Sequence, residues 1–557
     1  MKLGGAFVAG SLLVFSLASP AVAGGLYLPG SGATSTSRAG AAVASADDGE
    51  ALSINPAGLA KTEGLTITIS TAFIRYFMEF TRRGTYDAPT DFSPPYAGQP
   101  YPTITNDPDL ALGVAKFQPI PVIAVVTDLG GRVPNLRLAA GLYAPTGYPF
   151  RDMTNGYQFP RGDDPNADLT TPPPPSRYDV LTAESRLLLP SIAASYRILP
   201  QLDVGARFTA GNLASKSQIA VWGSPNNLDE SIRQDTLFTA DIKDSFIPAF
   251  GLGVTFRPAP AIELAAAYAS PFVIKAKGTG VSVKAPGVDP SRVVGPVPDD
   301  MAVCETGGTF EAQRACINLE LPQTATVGAR YKFLDRNGEL RGDIEANVAW
   351  ENWGKRCEVG SDGQFVDPEC TSPGQYRIVI DSGLYTNGEF AQPLAKNYNN
   401  FGFQDTYSFR LGGSYHLPVG PAAAKSKVIL RAGAAYDTSA AKTGWLRAYM
   451  DGADRVTTTL GGAYRTRSWE VNLGAGYVYE GTSMNPGASP DGSDCNPTSA
   501  GVIGCAGTGQ NRPLDERQGP DPTSPLVEPN FQAENPYNQG TFESSYVMFM
   551  LGFSTWF

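Results

Sequence analysis

Apolar and polar residues alternate along many short segments of the chain. In 407–416, Tyr407 and Phe409 fall on one face of an extended segment and Arg410 falls on the other. Because successive side chains of a strand point to opposite faces, this pattern predicts strands with one apolar and one polar face. The same alternation runs through 203–209, 343–350 and 469–480. No long segment has a helical period, so the chain is predicted to be all-β.

Fourteen strands are predicted, at 65–79, 113–127, 136–146, 182–197, 202–218, 238–256, 262–276, 318–333, 340–353, 403–416, 426–437, 455–465, 469–480 and 543–557. An even number, with connections that alternate between short and long, is typical of a bacterial outer-membrane barrel with short periplasmic turns and long extracellular loops. A soluble secreted β-sandwich protein also alternates and remains the alternative. Repeated segments of about ten residues with aromatic residues near their ends favour a 14-stranded antiparallel transmembrane β-barrel over residues 65–557.

The N-terminus has the order of a secretory signal peptide. Lys2 precedes an apolar run at 5–18, and Ala21-Val22-Ala23 forms a cleavage site. Residues 1–23 are therefore predicted to be removed, and the mature protein to leave the cytoplasm for the outer membrane.

Composition and charge exclude one class of partner. The formal net charge is −11, and no basic stripe is present to neutralise phosphates. Nucleic-acid binding is therefore not expected. The chain ends in Trp556-Phe557, an aromatic terminus that looks like the signal read by the barrel-assembly machinery.

Six cysteines lie in three long predicted loops. Shared loops favour the local disulfides Cys304–Cys316, Cys357–Cys370 and Cys495–Cys505, formed in the oxidising periplasm. Sequence alone leaves other pairings open. Metal binding is the alternative, but the spacings do not match the short Cys-x₂₋₄-Cys pattern of zinc sites.

Residues 24–64 precede the first strand and are rich in small side chains. Of residues 24–60, 21 are Gly, Ala or Ser. Such a segment cannot build a sizeable core of its own. It is predicted to be a hatch that plugs the barrel, because a barrel of more than eight strands cannot fill its interior with strand side chains. A disordered periplasmic tail is the alternative.

Several motifs give the chain a family resemblance. They are Gly25-Leu26-Tyr27, Ser37-Arg38-Ala39-Gly40 and Asn55-Pro56-Ala57 in the hatch, with further matches at 141–145, at Trp350 with Trp353, and at 405–415. Together they resemble the FadL-type long-chain fatty-acid outer-membrane transporters. That family folds as a fourteen-stranded barrel with an N-terminal hatch, in which Asn55, Pro56 and Ala57 match the hatch motif. The long Pro-rich loops and cysteine pairs depart from the family.

The resemblance implies passive uptake of hydrophobic molecules such as long-chain fatty acids. Such a protein uses an apolar binding pocket, a hatch that rearranges, and lateral exit into the membrane. It needs no cofactor, no metal and no catalytic residue. Its partners are the hydrophobic ligand and the outer-membrane lipid and lipopolysaccharide around a monomeric barrel. Leu26, Tyr27 and Leu28 at the start of the hatch are predicted to contact substrate.

The third predicted strand carries the candidate exit. Pro145 cannot donate a ladder hydrogen bond, and Gly141 and Gly147 permit a bend. With Tyr143, they are predicted to border a lateral opening, as the family resemblance suggests. The alternative is that these residues only begin the loop that follows the strand.

Basic side chains in the lumen are candidates for recognition of a carboxylate. The alternation places Arg207, Arg410 and Arg431 on the lumen face. Pairing with acidic residues of the lumen is their alternative role.

Two other functions stay open at the level of sequence. A barrel hydrolase needs a general base, and the single histidine, His416, falls at the periplasmic end of its strand. A porin or a surface-display barrel for other ligands is the second alternative.

Overall fold

A computed structural model describes residues 27–89, 92–109, 116–147, 150–221, 230–288, 292–358, 366–367, 369–393, 397–420, 426–442, 444–450, 452–485 and 538–557. Fourteen antiparallel strands pair in chain order around a closed barrel. They are β1 Leu65–Arg82, β2 Gln118–Thr127, β3 Leu136–Tyr143, β4 Thr182–Leu199, β5 Leu202–Val221, β6 Thr236–Ala259, β7 (Ile262–Ala269 and Phe272–Lys284), β8 (Gln313–Leu321 and Thr324–Leu334), β9 Leu340–Glu351, β10 Thr406–Pro418, β11 Lys427–Asp437, β12 Arg455–Arg465, β13 Trp469–Asn485 and β14 Gly540–Trp556.

The first and last strands close the barrel. Thr66 of β1 lies opposite Trp556 of β14, and the pairing runs without interruption to Arg82 opposite Gly540. Short turns join the strands at the end where the two termini of the sheet meet, and long connections join them at the other end. This asymmetry places the short turns in the periplasm and the long loops outside the cell. The predicted strand number and order are therefore confirmed.

The barrel carries its apolar side chains on the outside. Ile69, Phe409 and Leu460 expose 55%, 52% and 69% of their surface, whereas Asp343 and Glu345 are buried inside. Such an apolar exterior is an aggregation liability in water but is solvated by acyl chains in a bilayer. No described helix is long and apolar enough to cross a membrane. The inside-out pattern distinguishes the barrel from the soluble sandwich.

Two strands are interrupted where the sequence predicted continuous ones. β7 breaks at Ser270 and Pro271, and β8 breaks at Pro322 and Gln323. The two breaks are neighbours, because Ala269 lies opposite Thr324 just below them and Phe272 lies opposite Leu321 just above them. Proline has no N–H to donate to the ladder. Each strand is therefore interrupted at the level where the neighbouring strand also has a proline.

The extracellular end holds a sheet in a region predicted to be a loop. Gln375–Thr386 pairs with the upper part of β8 and with the short strands Arg292–Pro296, Glu389–Pro393 and Asn397–Asn400. The predicted disulfides Cys304–Cys316 and Cys357–Cys370 are present beside it. Cys316 lies within β8, not in a loop as expected. Cys495 and Cys505 lie outside the described residues.

The segment before β1 lies inside the barrel. We call residues 27–64 the hatch; it contains α1 Ala33–Thr36, α2 Ala51–Ile54 and the 3₁₀ helix Pro56–Lys61. The remaining elements are short: 3₁₀ turns Leu129–Gly131 and Asp299–Met301, and strands Thr103–Thr105 and Phe150–Asp152. The predicted signal peptide, residues 1–23, and Leu26 lie outside the described residues.

Candidate functional site

The Asn55-Pro56-Ala57 motif fixes the turn that enters the hatch 3₁₀ helix. Asn55 Oδ1 accepts a hydrogen bond from the Ala57 amide at 3.1 Å, and Asn55 Nδ2 donates to the Val43 carbonyl at 2.8 Å. Nδ2 also lies 3.4 Å from the Val254 carbonyl of β6. Pro56 occupies the first helical position, where its missing N–H costs nothing. One buried side chain thus ties two parts of the hatch together and to the wall.

Glycines form the surface on which this motif rests. A Cβ on Gly253 would lie 1.9 Å from Asn55 Oδ1, and one on Gly205 would lie 2.3 Å from the Pro56 carbonyl carbon. Other wall glycines meet the hatch in the same way: Gly328 at Val43, Gly412 and Gly433 at Arg38, and Gly461 at Ser37. Any side chain at these positions would push the hatch backbone away from the strands. We call these wall glycines, which leave room for the hatch backbone, the glycine footprint.

Buried ion pairs fasten the hatch from the other side. Arg38 lies 3.0 Å from Asp343 and 3.4 Å from Glu345, both on β9. Lys61 lies 3.6 Å from Glu263 of β7, which Arg330 of β8 also contacts at 2.8 Å. Removing one partner of a buried pair leaves an uncompensated charge, typically at a cost of about 3–5 kcal/mol. The main body of the hatch is therefore fixed.

A small polar cavity of about 60 Å³ lies between the hatch and the periplasmic half of the wall. Asp47, Glu50, His416, Lys427 and Arg465 are among its lining residues. Charged walls hold water and do not favour an apolar solute. The cavity is thus a poor path for a hydrophobic ligand toward the periplasm.

The third strand leaves a gap in the wall. β3 stops at Tyr143, three residues before its predicted end, and up to that point it pairs with β2 and β4 on both sides. Pairing with β4 resumes only at Phe150–Asp152. No described residue pairs on this side with 185–188 of β4, and Pro145 has no N–H to offer. Residues 144–147 therefore border an interrupted stretch of the ladder, which we call the gap.

The start of the hatch covers this gap from within. The Leu28 amide donates to the Thr146 carbonyl at 2.8 Å, and Thr146 Oγ1 donates to the Leu28 carbonyl at 2.6 Å. The neighbouring Tyr27 ring lies 5.7 Å from that of Trp353. The Thr146 carbonyl, which the broken ladder leaves without a partner, thus finds one in the hatch, as an apolar surrounding requires.

Gly141 has a different place from the one predicted. It lies in the fully paired part of β3, opposite Ala124 and Ser191. A Cβ there would lie 2.6 Å from a methyl group of Leu52 in the hatch. Gly141 therefore seats the hatch below the gap, whereas Pro145 and Gly147 lie in the gap itself.

Above the hatch, the lumen is apolar. One cluster of buried side chains, here called the apolar cluster, includes Leu28, Ile74, Tyr76, Met78, Phe80, Phe150, Met153, Trp353, Phe401, Phe403, Phe542, Tyr546, Met548 and Met550, with Tyr27 packed against it. Most of these residues were not singled out from sequence. The available signal was the apolar residues on both faces of the segment now assigned to β14, which depart from the polar lumen of an open channel.

The sequence matches a family described as outer membrane protein transport protein (OMPP1/FadL/TodX) over residues 180–496, which is more than half of the chain. The chain belongs to this family. FadL/TodX proteins are transporters of hydrophobic compounds in the outer membrane of Gram-negative bacteria. The protein is accordingly an outer-membrane β-barrel.

Solved FadL/TodX structures share this fold at low sequence identity. A Pseudomonas aeruginosa FadL homologue is 14% identical with a TM-score of 0.60, covering 96% of this chain and 100% of its own. The Ralstonia pickettii toluene transporter TbuX is 12% identical with a TM-score of 0.54, covering 95% and 99%. The P. putida toluene transporter TodX is 14% identical with a TM-score of 0.52, with the same coverage. Among curated proteins, none matches the sequence.

The three predicted lumen arginines have different surroundings in this FadL/TodX barrel. Arg431 is paired with Glu470 at 2.9 Å and contacts Asn472 at 2.5 Å. Arg410 donates a long hydrogen bond, 3.4 Å, to Ser408. Arg207 is buried, donates to the hatch carbonyls of Leu52 and Ser53 at 2.7 and 2.9 Å, and lies 5.0 Å over the Tyr143 ring. No described carboxylate pairs with Arg207.

His416 lies at the periplasmic end of β10, as predicted. Its Nε2 is 3.0 Å from Ser414 Oγ, and Ser414 also contacts Asp343. Activation of a serine needs a carboxylate on the far nitrogen of the imidazole. Here Asp343 contacts the serine instead and is already paired with Arg38 and Arg330. Among the described residues, no group of His, Cys, Asp or Glu is placed to hold a metal ion.

Extracellular loops cover the mouth of the barrel. We call the loop segments around 177–179, 230–235 and 447–449 the lid. Arg177 lies 3.0 Å from Asp235 and 3.1 Å from Glu230, and Tyr178 donates to Asp235 at 2.8 Å. Across the mouth, Arg447 pairs with Asp179, which also accepts the Tyr449 amide at 2.8 Å. Burial raises the pKa of Asp235 to about 6, although Arg177 and Tyr178 oppose the shift. The lid therefore contains a carboxyl that titrates near neutral pH.

Proposed function

We propose that this protein takes up hydrophobic molecules, long-chain fatty acids among them, passively across the outer membrane and releases them sideways through the gap. The observation that carries the proposal is the pair of hydrogen bonds between Leu28 and Thr146, which seals an interrupted wall with a short hatch segment. A seal made of two hydrogen bonds and one apolar side chain can open without unfolding the barrel. The net contribution of each such hydrogen bond to stability is only about 0.5–1.5 kcal/mol.

The route follows the polarity of the interior. A ligand passes the lid, enters the apolar cluster, displaces the start of the hatch and leaves between β2 and β4 into the outer leaflet. Moving each CH₂ from water into an apolar phase is favourable by about 0.8 kcal/mol, so transfer toward lipid needs no energy source. The polar cavity beneath the hatch offers no such gain.

Within this proposal, the hatch has a fixed part and a moving part. Asn55, Pro56 and Ala57 hold the fixed part on the wall glycines, and Gly141 seats it at Leu52. Tyr27 and Leu28 form the moving part, while Tyr143, Pro145 and Gly147 border the exit. The division into a signal peptide at 1–23, a hatch at 24–64 and a barrel at 65–557 belongs to the same proposal.

Fatty acids are favoured by the setting of Arg207. Among the described residues, this buried guanidinium contacts carbonyls and a tyrosine ring but no carboxylate, which leaves a cationic site for a ligand carboxylate. Arg431 is occupied by Glu470 and is assigned a structural role, and Arg410 is the second candidate. Aromatic hydrocarbons are the other candidate class, because two structural neighbours are described as toluene transporters.

A reducible lock tests the lateral route. In a Leu28→Cys/Thr146→Cys variant, a disulfide would tie the hatch to the gap, because a backbone hydrogen bond already joins the two residues. Uptake of radiolabelled oleate and of toluene by cells that lack their own transporter should fall at least tenfold in the locked protein. Mild reduction should restore it.

Leu28→Cys alone and the parent protein, each with and without reductant, are the controls, because the native disulfides also respond to reduction. Equal uptake by locked and unlocked protein would mean that ligand leaves another way. A porin or a display barrel would show no dependence on the lock.

A further inference from the structure

Two lysines face each other on the outer wall near the extracellular end. Lys243 of β6 lies directly opposite Lys277 of β7, and both side chains are exposed. Among the described residues, neither makes a hydrogen bond or an ion pair. Directly opposed residues hold their Cβ atoms about 4.5–5.5 Å apart, and like charges in such a pair are destabilising. The pair therefore lacks an anion between its two ammonium groups.

In the rows next to this pair, the lysines have acidic neighbours. One row up, Glu184 and Asp241 flank Lys216, and Glu184 also pairs with Arg186. One row down, Lys275 pairs with Glu369. In the row of the pair itself, Lys243 has Ala214 on one side and Lys277 has Cys316 on the other. No acidic residue therefore lies beside the two lysines in their own row.

The positive pair contrasts with the rest of the molecule. The whole chain carries a net charge of −11. At a similar level on the opposite part of the wall, exposed Glu79 of β1 lies directly opposite exposed Glu543 of β14. The lysine pair is thus a local feature and not the consequence of a basic protein.

The pair lies at the upper edge of the apolar exterior. Just below it, Phe246 of β6 and Leu188 of β4 expose 60% and 42% of their surface to the outside. Residues at that edge of a barrel meet the boundary between acyl chains and lipid headgroups. A ligand held there has its apolar part against Phe246 and its polar part against the lysines.

We propose that Lys243 and Lys277 bind a phosphate of the phosphorylated glycolipid of the outer leaflet, the lipid A part of lipopolysaccharide. Lysine binds phosphate as a compact point charge, and two ammonium groups side by side match its negative charge. The acyl chains of the same molecule lie along the apolar wall below. This site faces outward and is independent of the transport route proposed above.

The test compares glycolipid binding by purified full-length protein in native mass spectrometry. The probes are bisphosphorylated lipid A and the same glycolipid without phosphates. A lysine near a membrane surface contributes about fivefold in affinity for anionic lipid, so Lys243→Gln/Lys277→Gln should weaken binding of lipid A more than tenfold. The dephosphorylated glycolipid should bind the parent and this variant equally and weakly.

Glu79→Gln/Glu543→Gln is the matched control and should bind lipid A like the parent, and Lys243→Arg/Lys277→Arg should also retain binding. Heat-modifiable migration shows that each variant is folded. Undiminished binding of lipid A by the glutamine variant overturns the proposal, as does equal binding of both glycolipids by the parent. If the glutamine variant does not fold, the salt dependence of the parent protein provides the test. At 0.5 M salt, interactions between exposed charges are largely screened, so unchanged binding of lipid A by the parent overturns the proposal.

Discussion

At the scale of single residues, the lumen arginines show what alternation along a strand can and cannot tell. Arg207, Arg410 and Arg431 occupy equivalent positions in their segments, and sequence predicted one role for all three. Their differences come from neighbours far along the chain. Arg431 meets Glu470 on β13, whereas Arg207 meets hatch carbonyls about 155 residues before it. Contacts of that separation depend on barrel closure, which no local pattern encodes.

Replacing Arg207 by Gln should separate recognition of a carboxylate from support of the hatch. Hydrogen bonds to charged groups contribute about 1.5–3 kcal/mol, so oleate binding should weaken tenfold or more. Binding of methyl oleate, which has no charge, should change little. Fluorescence competition with both ligands on purified protein measures the ratio. Arg207→Lys should lie between the parent and the glutamine variant. An equal loss for oleate and its methyl ester would assign Arg207 to the hatch alone.

At the scale of elements, the hatch and the wall fit each other through missing side chains. The Asn-Pro-Ala motif was visible in sequence, and the small residues of the segment around it predicted a plug. The glycines that receive it were not singled out, because a glycine in a strand has the same appearance whether it faces the hatch or lipid. Gly253 differs from Gly462 only in what lies within contact distance.

Those two glycines provide a matched pair of substitutions. Gly253→Ala places a methyl group on Asn55 and should displace the hatch, since overpacking typically costs about 1–3 kcal/mol. Gly462→Ala meets only a carbonyl oxygen of Ile429 at 3.7 Å and should be tolerated. Single-channel conductance should rise for the first variant and remain at the parent level for the second. Equal conductance in all three proteins would mean that the hatch tolerates loss of its seat.

The strands themselves were predictable in number and order but not in continuity. Alternation located β7 and β8, yet it ran across Pro271 and Pro322, where the ladder breaks. The same chemistry ends β3 before Pro145. Gln375–Thr386 was missed because it pairs outside the barrel, where neither face needs to match lipid. Proline therefore predicts where strand pairing ends better than alternation does. Alternation predicts better which segments form the barrel wall.

At the scale of the whole molecule, polar and apolar surfaces are distributed in layers from one end to the other. A charged hatch region near the periplasm is followed by the apolar cluster, and then by a lid held by buried charges. The two charged layers lie at the aqueous ends of the barrel, and the apolar layer lies between them. The lid contains Asp235, whose pKa burial raises to about 6.

The lid should be tighter at pH 5 than at pH 7. The pKa of Asp235 is about 6 when folded, above its ordinary value near 4, so the folded lid binds this proton more readily than an opened one. Lid stability from Asp235 is fully present below about pH 4 and is lost as pH rises toward 6, by up to about 3 kcal/mol. Hydrogen exchange of amides in 176–181, corrected for intrinsic rate, measures the difference.

Glu230 limits this effect at the acid end. Burial alone would raise the pKa of Glu230, but Arg82 and Arg177 outweigh burial and hold it below its ordinary value. The contribution of Glu230 to lid stability is therefore lost as the pH falls below that ordinary value. Protection of the lid amides from hydrogen exchange should decline again at such a pH. Asp235→Asn should remove the difference between pH 5 and pH 7. A difference of the parent's size in that variant would assign the effect to another group.

The glycine footprint also sets the order in which the protein can assemble. The hatch is synthesised before every strand, but the surfaces that shape it belong to β5, β6 and strands as late as β14, where Gly552 meets Ala33. Its two α-helices have four residues each, too short to persist alone in water. The hatch is thus made before the strands but is among the last parts of the protein to acquire its structure. Until the sheet curls around it, this segment must remain unfolded in the periplasm, within reach of proteases and chaperones.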